Sequence, residues 1–148
     1  MKKLIVVLVG LTVLATACGT KVADVLPSQG SVSMKVDGAS WTGQRAAQMT
    51  SNNETLVVSA IYATATVQET VGIIVENVTK TGVYKIKGRT GNGFLFSRKA
   101  VIHSGDNDGE VTVTAINTTG GKTVFNGTFK ATCIAQSGAR IVITEGKF

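Results

Sequence analysis

The chain has 148 residues, which suits one domain with a single core. Fifteen lysines and arginines against nine acids give a formal charge of +6, too dilute for the dense basic stripe of a nucleic-acid binder. One histidine and two cysteines exclude a multi-histidine metal site and a disulfide-dense scaffold, and no motif calls for a cofactor.

The first element reads as a targeting segment. Met1-Lys2-Lys3 is positive, Leu4 to Ala17 is 14 residues without a charge, and Ala15-Thr16-Ala17 places small residues before Cys18. A membrane-spanning helix needs about 20 apolar residues. This shorter run fits the core of a secretory signal, so residues 1–17 are expected to be a signal peptide. The segment "LATAC" resembles the bacterial lipoprotein box, in which a diacylglyceryl group joins the cysteine sulfur and a third acyl chain the amine. Ala15 stands where that box usually has Leu, and Leu14 lies one step earlier. The resemblance implies a lipid on Cys18 and a place in the bacterial cell envelope, as an outer-membrane lipoprotein facing either side. Ordinary secretory cleavage at the same bond would instead leave a free thiol able to bridge Cys133, the only other cysteine. Loss of residues 1–17 lowers the formal charge from +6 to +4.

Residues 18–30 hold the only proline and no sustained period, and read as a flexible tether. From residue 31 to 148 the hydrophobic period is two. In "SVSMKVDG", Val32, Met34 and Val36 share a face, and Asp37-Gly38 signals a tight turn. "TLVVSAIYA", "TVGIIVENV", "GVYKIKG", "GFLFS" and "KAVIHS" follow as further strands, with Thr64–Thr70 as a loop or hairpin tip. "GEVTVTAIN" alternates, and in "KTVFNGTFKATCIA" the residues Phe125, Gly127, Phe129, Ala131 and Cys133 share a face. Gln136-Ser137-Gly138 is a turn, and "ARIVITEGKF" returns as a partner strand. Thr, Val and Ile dominate, as pleated half-buried surfaces prefer. The expected fold is all-β: an antiparallel sandwich or a partly closed meander barrel of about 8–10 strands.

Three short stretches, "KVDG" with Trp41 (Lys35 to Trp41), "GTF" (Gly127 to Phe129) and the ending Ile143 to Phe148 with "EGKF", resemble a family of uncharacterised lipoproteins of the Bacteroidota. The resemblance implies an all-β secreted fold and carries over no activity and no catalytic residue. The acidic run that serves such lipoproteins as a surface-export signal is absent from "CGTKVAD".

No residues assemble into a catalytic pattern. His103 is the sole histidine and no G-x-S-x-G elbow occurs, so a nucleophilic triad has little to stand on. His103 reads as a strand-end or loop residue. The loop Ser104 to Glu110, with Asp106, Asp108 and Glu110, offers oxygen ligands for a hard cation, but it fails the EF-hand pattern at Ser104 and Ala115. It reads as a hairpin turn closed by Gly109. Lys85, Lys87 and Arg89 sit two apart, so a strand there would hold them in a row able to meet phosphates or acidic sugars. The alternative is a solvated face whose lysines discourage edge pairing. Trp41 and Cys133 read as core. The expected function is a lipid-anchored envelope domain, non-enzymatic, that binds a partner or plays a structural part. Its partners would be the membrane, through the lipid, and an acidic glycan or envelope protein, but no nucleic acid. One alternative is a glycan hydrolase with two carboxylates about 5 to 9.5 Å apart. Another is a small-ligand carrier, which needs an open apolar interior.

Overall fold

Period-two alternation emerges as ten antiparallel strands and no helix in the computed structural model, which describes residues 30–51, 55–87, 91–105, 108–119 and 122–148. They are β1 (Ser31–Val36), β2 (Ala39–Ser51), β3 (Thr55–Ala63), β4 (Gln68–Val75), β5 (Gly82–Ile86), β6 (Gly93–Arg98), β7 (Val101–Ser104), β8 (Gly109–Thr119), β9 (Lys122–Ala135) and β10 (Arg140–Lys147). The order β10-β1-β2-β3-β4-β6-β7-β9, closed by pairing of β9 with β10, makes an eight-stranded barrel. Of the two expected architectures, the structure adopts the barrel.

β8 and β5 lie outside that ring. β7 pairs with β9 at His103↔Ala135 and Ser104↔Ile134, and β8 resumes along the same edge at Gly109↔Ala131. Both run antiparallel to β9, so they are two pieces of one interrupted line. The strands on either side of Ser104 to Glu110 therefore do not pair with each other, as the expected hairpin turn requires. Gly109 lets β8 rejoin closely: a Cβ there would sit 2.9 Å from the Lys130 carbonyl oxygen.

Among the described residues β5 pairs only with β8, which leaves a seam between β5 and the end of β4. Asn92 spans it. Its Oδ1 accepts from the Glu76 amide at 2.8 Å, and its Nδ2 donates to the Lys85 carbonyl at 2.9 Å. One side-chain amide thus supplies a donor and an acceptor, as a ladder rung would.

Inward positions fill the barrel. Phe94, Phe96, Phe125, Leu56 and Ile73 are among its fully buried side chains, with Trp41 and Cys133 also in the core. The indole of Trp41 folds over Gly43 and donates from Nε1 to Glu69 Oε2 at 2.8 Å, while Arg98 Nε donates to Glu69 Oε1 at 2.6 Å. This buried carboxylate ties β2, β4 and β6 together.

The two stretches "GTF" and "EGKF" interlock. Gly127 and Phe148 exchange backbone hydrogen bonds of 3.1 and 3.0 Å. The Phe148 ring covers Gly127, and the Phe129 ring covers Gly146. Each glycine is the gap into which the other stretch's phenylalanine fits. Glu145 just before Gly146 has φ 52, where the register between Ile143 and Gly146 shifts as a bulge.

The outer wall is unevenly charged. Outward positions of β3, β4, β6 and β7 carry Thr, Ser, Gln, Val, Ile, Leu, Ala and Gly, with no charged side chain. The charges of the wall collect on β5, β8, β9, β10 and β1.

Candidate functional site

Across those five strands one line of outward side chains alternates in sign. Register places Lys85 of β5 opposite Glu110 of β8, and Glu110 opposite Lys130 of β9. Lys85 Nζ pairs with Glu110 Oε2, and Lys130 Nζ lies 3.1 Å from Glu110 Oε1. Lys35 of β1 continues the series, 2.7 Å from Glu145 of β10. Period two aims these residues outward, and the antiparallel registers bring them side by side. The hydrogen bonds from Lys85, and then from Lys130, hold the Glu110 carboxyl below its ordinary range.

Two depressions lie along this wall. The larger, about 470 Å³, is lined by Lys85, Lys87, Asp108, Glu110, Lys130, Thr132, Val142 and Thr144, among others. The smaller, about 310 Å³, is lined by Thr112, Thr128, Glu145 and Lys147, and it shares Glu110 and Lys130 with the first. Together they form a mixed, cation-rimmed track running along β8, β9 and β10. A ligand there would meet ammonium groups and threonine hydroxyls, with Val142 as an apolar contact.

Residues 28–148 match the model of a family described as a domain of unknown function, DUF6252. The chain belongs to the DUF6252 family. The match spans all ten strands of this DUF6252 domain and assigns it no activity. No curated protein and no solved structure matches the chain.

Within the DUF6252 domain, Lys85 and Lys87 both line the larger depression. Lys85 stands on β5 and Lys87 just past its end. Arg89, Asp106 and the lipidation candidate Cys18 lie outside the described residues. Asp108 and Glu110 both line the larger depression, but Glu110 is engaged by two lysines. Among the described residues no group of three or more His, Cys, Asp or Glu could hold a metal ion.

His103 differs from its sequence reading in burial. It points into the barrel from β7, 7% exposed, and its Nδ1 has no hydrogen-bond partner among the described residues. Arg45 on β2 is likewise buried, and desolvation pushes its guanidinium down from its ordinary value. Lys130, Glu110, Glu145 and Lys35 escaped the sequence search as a set. Alternation marks each as outward, but nothing local says that β5 lies beside β8, with β6 and β7 between them in the chain.

Proposed function

We propose that this DUF6252 domain is a non-enzymatic, lipid-anchored module of the bacterial cell envelope that binds an acidic partner through the outer wall of β5, β8, β9 and β10. The observation that carries this reading is the pair of joined depressions, rimmed by lysines from neighbouring strands, on the outside of a barrel whose interior is filled with side chains. A carrier would need interior space, and here Phe94, Phe96 and their neighbours occupy it. A carboxylate hydrolase needs one acid with a raised pKa. Glu110, common to both depressions, is shifted the other way.

The anchor rests on Leu4 to Cys18 and on the likeness to lipoproteins of the Bacteroidota. Each buried acyl methylene contributes about 0.8 kcal/mol, and two or more chains hold a protein stably at a bilayer. Residues 19–30 would tether the barrel to that lipid.

Two measurements test the proposal. Intact mass of the mature protein should exceed that of the peptide by its acyl groups, and Cys18→Ala should leave the membrane fraction. An unmodified mass, with unchanged fractionation of the variant, removes the anchor. Retention on an immobilised acidic glycan should fall when Lys85 is replaced by Glu; retention that does not change removes the binding wall.

A further inference from the structure

We infer that the acidic partner is a linear polyanion laid along β8, β9 and β10 over both depressions, and that Glu110 is a built-in competitor for its charges. This rests on the reading above, that the wall binds an acidic partner.

The geometry supplies three reasons. First, the two depressions meet at Glu110 and Lys130 and are offset along β8, β9 and β10, so the concave track is continuous along these strands. A single sugar or phosphate would fill one depression, whereas a chain would fill both. Second, cations rim both depressions: Lys85, Lys87 and Lys130 the larger, Lys130 and Lys147 the smaller. A ligand with several anionic groups in a row meets them together. Third, the outward positions of β3, β4, β6 and β7 offer no cation, which confines a polyanion to one side of the barrel.

Glu110 sets the strength of this site. It holds Lys85 and Lys130 at once, so an incoming anion must share or displace it. Removing its charge while keeping its shape frees both lysines for the ligand. A divalent cation is disfavoured at the same place, because each Glu110 oxygen already faces an ammonium group.

The test uses the full chain in neutral detergent at low salt, with short and long oligogalacturonates and long-chain polyphosphate as probes. The long oligogalacturonate should bind at least about tenfold more tightly than the short one, because the second subsite is engaged intramolecularly. Glu110→Gln should tighten binding about two- to fivefold, the range an exposed ion pair implies. Lys147→Gln should weaken the long probe and leave the short one unchanged, while Lys99→Gln, on the β6–β7 turn, should change neither. Preference for polyphosphate over oligogalacturonate would place phosphate, not carboxylate, along the chain. Equal affinity for long and short probes, or a folded Glu110→Gln variant that binds no tighter, overturns the inference. If Lys85→Gln abolishes binding while Lys147→Gln does nothing, the acidic-partner reading stands and the polymer falls. If the wild type binds no probe, both fall.

Discussion

Gly146→Ala is the sharpest test of how the barrel closes. A Cβ at Gly146 would lie 2.5 to 2.6 Å from three atoms of the Phe129 ring. Carbon atoms in ordinary contact sit about 3.5 to 4.0 Å apart, so the overlap is roughly 1 Å. The ring has little room to retreat. Phe129 is 3% exposed, with Phe94 at 5.4 Å and Phe148 at 6.3 Å between centroids. Overpacking of this kind costs about 1–3 kcal/mol. The lower chain entropy of unfolded Ala returns about 0.4–1 kcal/mol. The net loss should be about 1–2 kcal/mol, or roughly 4 to 8 °C in Tm for a domain of this size. Urea and thermal unfolding, followed by the fluorescence of Trp41, measure it. In a Phe129→Ala background the added methyl has space, so Gly146→Ala should then be neutral or slightly stabilising. A penalty that persists without the ring, or a single variant within about 0.5 kcal/mol of wild type, refutes the reasoning. Gly127→Ala should behave differently. Its Cβ would meet both the Phe148 ring and the backbone carbonyl of Thr112, so Phe148→Ala should rescue it only in part.

Three further outcomes follow from the same contacts. The β6–β7 turn holds Lys99 at φ 50 and Ala100 at φ 62, a geometry that favours Asn-Gly, so Ala100→Gly should raise stability by about 0.5–1 kcal/mol; a lower Tm would count against strain there. Asn92→Ala removes the rung between Glu76 and Lys85 and should cost about 1–3 kcal/mol, with faster hydrogen exchange at the Glu76 amide; unchanged exchange would mean that the seam closes without it. Because the folded Glu110 carboxyl titrates below its unfolded value, its contribution is present above the ordinary carboxylate pKa. It is lost as pH falls through the lowered value. Glu110→Gln should therefore flatten the acid side of the stability profile measured by urea midpoint, and an unaltered acid limb would show that the lysines do not favour the ionised form.

The sequence by itself determined what is local. Alternation in "SVSMKV" fixed which residues of β1 face inward, and Asp37-Gly38, with φ 50 and 84, formed the two-residue turn its side chains permit. The core place of Cys133 followed from the same period along β9. What only the tertiary structure decided is non-local: closure of β9 on β10, the interrupted line of β7 and β8, and the neighbour of β5. Glu69 fell within Thr64–Thr70, expected as a loop or hairpin tip, yet it lies on β4 and is the buried acceptor for Trp41 and Arg98, because β2, β4 and β6 converge on it. "GTF" and "EGKF" were legible as a likeness, but their reason, each phenylalanine seated on the other's glycine, needed both strands in place. A period of two says which way a side chain points. It does not say which strand lies alongside, because pairing is settled by packing across the whole barrel.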